Sequence, residues 1–217
     1  MKELLYKEFK LAAHPTTYLF LLLGMMLLIP AYPYYVAFIY TCLWVFFIFL
    51  SARENQDILY TVSLPVRKSD VVKSRCLIVA IIELAQIIVS IPFAIIGTRI
   101  NPNPLGNVVG IEANVAFFGF VLIMFALFNI IFLPVFYKTT TKVGSSLLFG
   151  WIAVTLYIVV MEVAVQQIGF LKTTLDTSDP AMMLKQLPIL IFGIGIFFFT
   201  LWLAYKKSAQ NFEKVDL

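Results

Sequence analysis

The chain has 217 residues, of which 61% are hydrophobic and 13% are charged, and its mean hydropathy is +0.94. A composition this apolar excludes a soluble globular domain and is typical of a membrane protein with several transmembrane helices. The net charge of +4 does not indicate nucleic-acid binding, because the basic residues lie between apolar runs instead of forming one patch.

Counting spans of about 20 residues each, as the hydrocarbon thickness requires, predicts six transmembrane helices. They are expected at residues 16–31, 34–50, 76–97, 115–136, 143–167 and 188–205. We therefore predict an all-α membrane protein with a single domain over residues 1–217. Cys42 and Cys76 lie in or at the edge of spans, and we interpret them as buried apolar residues, not as a disulfide.

The basic residues predict the orientation. With both termini in the cytoplasm, 13 of the 16 Lys and Arg residues lie inside, and only Arg99, Lys172 and Lys185 lie outside. This distribution follows the positive-inside rule, so we expect cytoplasmic N and C termini.

Residues 1–14 are predicted to form an amphipathic helix on the inner leaflet. The alternative is an ordinary soluble segment before the first span. The expected polar face comprises Glu3, Lys7, Lys10 and His14, and the expected apolar face comprises Leu5, Phe9 and Ala12. His14 is the one histidine, so an imidazole metal cluster is excluded.

The first span is short, and Pro30 and Pro33 enclose the turn that follows it. The second span is rich in aromatic residues, including Trp44 and Phe47. Lipid contact and packing explain these rings most simply, and the alternative is that part of the surface lines a path for an amphipathic or apolar substrate.

Residues 51–75 form the long polar segment of the chain, with five basic residues. We predict a short helix over residues 54–63 in this segment, because Pro65 would stop it. Ser69 is the expected N-cap of the third span, with Asp70 in its first turn.

Polar residues also occur inside the predicted spans. Glu83 and Gln86 lie in the third span, and Glu162, Gln166 and Gln167 lie near the outer end of the fifth. A carboxylate in the bilayer should face protein or water, so Glu83 is either a structural hydrogen-bond partner or a functional group. The outer polar residues fit a re-entrant turn or the mouth of a pathway.

The last part of the chain is predicted to begin with a small outer helix over residues 180–186. Asp179 is its expected N-cap and Pro180 its first residue. Pro188 is expected to open the sixth span, and the charged tail after this span is expected to be solvated.

Motifs for catalysis are absent from the sequence. It contains no GxxxxGK[ST], HExxH or GxSxG motif and no Cys/His metal spacing. We therefore expect no enzyme activity and no cofactor in this chain, and energy for uphill transport would come from an ion gradient or from another chain.

The polar segment contains Glu54, Ile58-Leu59, Ser63-Leu64-Pro65-Val66 and then a basic stretch over residues 67–75. This pattern resembles the loop of type-2 ATP-binding-cassette exporter permeases. The six-span layout and the leading amphipathic helix also match, so the resemblance covers nearly the whole chain. It is closest to the small permeases of peptide and bacteriocin exporters, such as the phenol-soluble modulin exporter.

This resemblance implies a bacterial plasma-membrane permease that pairs with a second permease, identical or paralogous, and with two ATPase subunits that carry ATP and Mg. The substrate would be an amphipathic peptide or another amphiphile. The short helix would be a coupling helix seated in the ATPase, and residues 1–14 and 138–142 would make lesser contacts. The implied coupling residues are Glu54, Asp57, Ile58, Leu59, Val62, Leu64 and Pro65.

The resemblance also implies a pathway at the permease dimer interface, between the second and fifth spans. Trp44, Phe47 and Glu162 are the candidates that follow from it, and Glu83 and Gln166 are added as polar groups within the spans. Two alternatives stay open. One is a gradient-driven transporter with Glu83 and Glu162 as a proton relay, and the other is a non-transporting membrane anchor or immunity protein.

Overall fold

The computed structural model describes residues 2–12, 16–101 and 106–215, and all regular elements in these ranges are helical. The predicted all-α class is therefore confirmed for the described ranges. The α-helices are α1 Lys2–Ala12, α2 Thr16–Leu22, α3 Tyr35–Glu54, α4 Asp57–Val62, α5 Lys68–Ile100, α6 Val115–Phe136, α7 Val143–Gln167, α8 Gly169–Leu175 and α9 Met183–Glu213, and 3₁₀ helices occur at Leu23–Leu28 and Pro180–Met182.

Five described helices are long and apolar enough to cross a membrane, so six full-length spans are not confirmed. They are α3, α5, α6, α7 and the segment Pro180–Glu213 that contains α9. The predicted first span consists instead of α2 and the 3₁₀ helix Leu23–Leu28. Together these two helices extend about 22 Å, which is shorter than the hydrocarbon thickness of about 30 Å.

Close packing against α5 accounts for the tight first segment. A Cβ on Gly24 would lie 2.7 Å from the Ser90 hydroxyl, and a Cβ on Gly97 would lie 2.6 Å from the carbonyl oxygen of Leu27. The two backbones therefore approach each other as closely as glycine allows, and a bulkier first helix would not fit there.

Helix α6 lies at the centre of the bundle. The apolar window of α6 is 72% buried, whereas the windows of α7 and of the segment containing α9 are 17% buried, so these two helices are peripheral in the isolated chain. Stacked phenylalanines fill the centre, and Phe49 of α3 packs edge-on against Phe132 and Phe136, with centroid distances of 5.1 and 4.7 Å. Such edge-to-face pairs are a favourable arrangement of aromatic rings.

Glycines set the crossing of α6 and α9. A Cβ on Gly193 would lie 2.5 Å from the carbonyl oxygen of Gly119, and a Cβ on Gly119 would lie 2.7 Å from that of Ile189. The two helix backbones are therefore in direct contact, which is a common basis of helix association in membranes.

Three predicted helix boundaries are wrong. Helix α5 begins at Lys68 with Arg67 as its N-cap, so Ser69 is not the N-cap, although Asp70 lies in the first turn as predicted. The outer helix predicted over residues 180–186 is only a 3₁₀ turn, capped by Asp179 as predicted, that leads into α9. Pro188 therefore lies inside α9 instead of opening it.

The C-terminal tail packs against the bundle through Val215, in contrast to the predicted solvated tail. Phe212 is fully buried against Tyr137, at a centroid distance of 5.3 Å, and Lys68 Nζ donates a hydrogen bond of 2.7 Å to the carbonyl oxygen of Val215.

We use "the α4 end" for the end of the bundle that carries α1, α4 and the end of α9. "The opposite end" carries α8 and the loop over residues 106–114.

Candidate functional site

Helix α1 packs against the start of α5 through a face that contains a charged residue. Leu4 and Glu8, one helical turn apart, are 8% and 1% exposed, whereas Phe9 is 40% exposed. Glu8, which the predicted faces of α1 did not include, turns inward, and Phe9 of the predicted apolar face is free to contact the membrane. His14 lies outside the described residues.

Glu8 turns inward because Arg75 of α5 is buried opposite it. Arg75 Nε lies 2.8 Å from Glu8 Oε2, and a second guanidinium nitrogen donates to Glu8 Oε1 at 3.1 Å. The same nitrogen donates to Asp57 Oδ2 of α4 at 2.7 Å. Lys7 Nζ lies 2.7 Å from Asp57 Oδ1, so Asp57 bridges α1 and α5.

We call Lys7, Glu8, Asp57 and Arg75 the ionic cluster. It holds two positive and two negative charges, and Glu8 and Arg75 are almost fully buried. Because the charges balance, each ion has the partner that burial requires, and removing a single partner would leave an uncompensated buried charge. The Arg75 guanidinium also lies 5.5 Å from the ring centroid of Phe49, so α3 contacts the cluster as well.

Local backbone geometry sets the position of α4. Helix α3 ends at Glu54, Gln56 adopts a left-handed conformation with φ of 53°, and α4 starts at Asp57. The Thr61 hydroxyl donates to the carbonyl oxygen of Asp57 at 2.6 Å and accepts a hydrogen bond from Lys7. Ile58 and Thr61 are buried, so one side of this short helix is fixed to the bundle.

The other side of α4 is an exposed apolar patch. Leu59, Tyr60 and Leu64 are 46%, 65% and 39% exposed, and Pro65 is exposed beside them. We call these four residues the α4 surface. Large apolar side chains presented together at a helix exposed outside the spans are typical of a protein interaction site.

The predicted coupling residues thus divide into two groups, and their role stays a prediction. Leu59, Leu64 and Pro65 belong to the α4 surface, and Glu54 is exposed as the last residue of α3. Three others face the bundle: Asp57 in the ionic cluster, buried Ile58 and half-buried Val62. In the turn after α6, the carbonyl oxygen of Thr141 accepts a hydrogen bond of 3.3 Å from Arg53 near the end of α3.

The structure does not bring the pathway candidates together. Trp44 is buried and stacks on Phe20 at 6.4 Å between ring centroids, whereas Phe47 is exposed beside the same ring. Glu83 is fully buried in the bundle, where its Oε2 accepts a hydrogen bond of 2.7 Å from Asn129 of α6.

The two remaining pathway candidates lie at the opposite end. Glu162 Oε1 accepts a hydrogen bond of 3.4 Å from the Ile111 amide, and the Gln166 side chain donates to Asp176 Oδ2 at 3.0 Å. Both residues therefore attach α7 to neighbouring loops in this chain. In the part of the chain that the structure describes, no group of three His, Cys, Asp or Glu residues could hold a metal ion.

Glu112 is a further buried carboxyl at the opposite end, and sequence reasoning did not single it out. It accepts hydrogen bonds from the backbone N–H of Asn107 and, at 3.3 Å, from the Ser178 hydroxyl. Burial is the main reason why the pKa of Glu112 is above the ordinary value, Asp176 raises it further, and the hydrogen bonds oppose the shift.

Several membrane-crossing helices, a central aromatic core and a polar α4 end with an exposed short helix define a multi-pass membrane protein. A family model described as ABC-2 family transporter protein matches residues 3–213, so the chain belongs to this family. It is the membrane-embedded permease subunit of an ATP-binding-cassette transporter, and its partners are the ATPase subunits of that transporter. Comparisons with curated proteins and with solved structures gave no significant match.

Sequence reasoning missed the ionic cluster, apart from Asp57. Two signals could have revealed it. Glu8 follows Leu4 by one helical turn, and Arg75 continues the apolar positions Val71 and Val79 along one face of α5. A charge in an apolar helix face indicates a buried partner, and Glu8 and Arg75 carry opposite charges.

Proposed function

We propose that this permease subunit is half of an ATP-driven exporter and that α4 is the coupling helix that receives the movement of the ATPase. Both termini and the α4 end lie in the cytoplasm of a bacterial cell. A second permease, identical or paralogous, completes the pathway, and two ATPase subunits bind ATP and Mg. The exported substrates are amphipathic peptides or other amphiphiles, as in the phenol-soluble modulin type of exporter.

The observation that carries this proposal is the division of α4 into an exposed and a fixed side. The α4 surface offers apolar side chains to a partner, and the ionic cluster links the same helix to α1 and α5. A partner that pushes on α4 therefore pushes on three helices at once. ATP binding closes an ATPase pair, and closure moves the membrane part only through such rigid contacts.

Helix α5 carries the movement into the membrane. It is a continuous helix from Lys68 to Ile100 with Arg75 near its first turns, and Pro92 does not end it. A displacement of α4 is thus applied to one end of a helix of about 50 Å. Since α5 also packs against the 3₁₀ helix Leu23–Leu28, the movement reaches the first span.

The docking step is tested with the cassette ATPase that co-purifies with the full chain from its native membrane. We expect Leu59→Ala combined with Tyr60→Ala to weaken ATPase binding by about tenfold or more, because central apolar anchors dominate such interfaces. The control is Leu184→Ala, since Leu184 is 76% exposed but lies at the opposite end. Unchanged binding by the double variant would reject α4 as the docking helix.

The coupling step is tested by Val62→Pro, which places a proline ring against the carbonyl group of Ile58 in the last turn of α4, keeps the α4 surface and removes no charge. The complex is reconstituted in vesicles, and ATP-dependent export of an amphipathic peptide is measured beside ATPase activity. We expect transport to be lost. Transport at the wild-type rate would contradict a coupling role for α4.

A further inference from the structure

A groove opens between the ends of α6 and α9 at the α4 end, and none of the four α4 surface residues lines it. Its volume is about 610 Å³. Apolar side chains of α6 and α9 line it, together with Lys138, Lys206, Lys207, Gln210 and Asn211. The apolar side chains occupy the part of the groove along the two membrane-crossing helices, and the lysines and amides occupy the part nearest the helix ends.

The three lysines of the groove are not paired with an acidic side chain in the described part of the chain. Within the described ranges, no carboxylate lies within 4.0 Å of Lys138, Lys206 or Lys207, in contrast to Lys7 in the ionic cluster. All three are exposed. Lys206 Nζ lies 3.9 Å from the ring centroid of Trp202, an exposed side chain of the kind that marks the headgroup level of a membrane.

A break in the α6 hydrogen-bond pattern gives the groove its form. Pro134 has no N–H, so the carbonyl oxygen of Ile130 has no donor one turn further along the helix. The carbonyl oxygen of Pro134 accepts a hydrogen bond of 2.8 Å from the Asn211 side chain, which joins the two helix ends. The walls are therefore held in place from both helices.

We propose that this groove binds an anionic phospholipid, with the acyl chains along the apolar walls and the phosphate headgroup against Lys138, Lys206 and Lys207. The occupant must present negative charge at the helix ends and hydrocarbon further along the spans. A phospholipid of the surrounding membrane combines both features, and basic pockets between transmembrane helices bind such headgroups. This inference does not depend on the proposed coupling role of α4.

The test uses the purified full chain in neutral detergent, titrated with phosphatidylglycerol or phosphatidylcholine, with bound lipid counted by native mass spectrometry. We expect phosphatidylglycerol to bind more tightly, and each lysine to contribute about fivefold. Lys138→Gln, Lys206→Gln and Lys207→Gln are combined in one variant. The matched control combines Lys73→Gln, Lys142→Gln and Lys214→Gln, three exposed lysines outside the groove.

The proposal expects a large loss of phosphatidylglycerol binding in the groove variant and little loss in the control. Equal losses of phosphatidylglycerol binding in the groove variant and the control variant would show general attraction to a positive surface and would overturn the proposal. Equal affinity of the wild-type chain for the two lipids would also overturn it. A second measurement places a photo-crosslinking residue at Gln210 in the complete complex. A lipid adduct supports the groove as a lipid site, and a cross-link to a second permease or to the ATPase overturns it.

Discussion

The α4 end and the opposite end of this permease are held together by different interactions. At the α4 end, four charges from α1, α4 and α5 pair with one another, and the positive and negative charges are equal in number. At the opposite end, Glu112 and Glu162 accept hydrogen bonds from backbone amides of the loop over residues 106–114. The first arrangement fixes helices to one another, whereas the second closes a loop on itself through Glu112 and ties it to α7 through Glu162.

This difference indicates where force can enter the molecule. A cluster of paired buried ions transmits a displacement from one helix to the next, because separating the ions would expose uncompensated charge in a dry site. A loop held by backbone hydrogen bonds can open locally at lower cost. The α4 end is thus suited to receive movement, and the opposite end to change its shape.

The largest effect is expected when the ionic cluster loses its central cation. Arg75→Met leaves Lys7 as the one cation of the cluster for the two carboxylates of Glu8 and Asp57, so one buried negative charge is uncompensated and the free energy of unfolding should fall by about 3–5 kcal/mol. The change in the free energy of unfolding is measured by thermal unfolding of the full chain in detergent. Combining Arg75→Met with Glu8→Leu keeps the Lys7–Asp57 pair and should restore most of the loss. A double variant as unstable as the sum of the two single variants would show that the cluster is not a balanced unit.

The second largest effect on stability is expected from a substitution at the crossing of α6 and α9. This substitution tests whether a rigid helix contact joins the α4 end to the opposite end. Gly193→Ala places a Cβ against the backbone of Gly119 and should cost about 1–3 kcal/mol through overpacking. Gly195→Ala is the matched control, because a Cβ there meets nothing within 4 Å and the gain in helix propensity is the same. Equal unfolding temperatures for the two variants would argue against direct backbone contact.

A smaller effect is expected from Asp57→Asn, which separates docking from transmission. The α4 surface is intact in this variant, so ATPase binding should be retained. The links from α4 to Lys7 and Arg75 are weakened, so peptide transport per ATP hydrolysed should fall about fivefold or more. Glu213→Gln is the control, since Glu213 is an exposed carboxylate at the end of α9 and belongs neither to the ionic cluster nor to the implied coupling residues. A joint loss of binding and transport would mean that Asp57 belongs to the docking surface.

The smallest effect concerns pH at the opposite end. Because burial raises the pKa of Glu112, the folded protein holds the proton more tightly than the unfolded chain does. The stability contributed by Glu112 is complete below its ordinary pKa and is lost as pH rises through the raised pKa. The midpoint of thermal unfolding of the full chain in detergent should therefore fall as pH rises through that range. Glu112→Gln should remove this dependence, and an unchanged profile would contradict it.

Hydropathy, together with the prolines and capping residues that bound helices, predicted the all-α class, five of the spans and a short helix between α3 and α5. They did not predict the first span correctly, because its 3₁₀ form depends on contact with Ser90 and Gly97 of α5. The limits of α9 were wrong for a similar reason. Pro188 is tolerated inside the helix, and Phe212 extends it by packing against Tyr137.

For the candidate site, the pattern of residues 54–65 located α4 but not its anchors. Lys7, Glu8 and Arg75 are separated from Asp57 by 18 or more positions in the chain, so no local spacing joins them. Pairing of charges that meet only in the folded bundle is a tertiary property. The exposure of Tyr60 was missed as well, because the local pattern shows only which residues α4 contains, not which side faces the bundle.

We expect α1 and α4 to move as one body when the ATPase binds nucleotide. The direct measurement is the distance between spin labels at Tyr6→Cys and Ser63→Cys in the reconstituted complex, diluted with unlabelled chains, with and without ATP. Tyr6 and Ser63 are exposed, Ser63 caps α4 outside the α4 surface, and Cys42 and Cys76 are buried. We predict that this distance changes by less than about 2 Å while the distance from Ser63→Cys to Leu184→Cys shifts by more. Separation of the α1 and α4 labels on nucleotide binding would contradict the account.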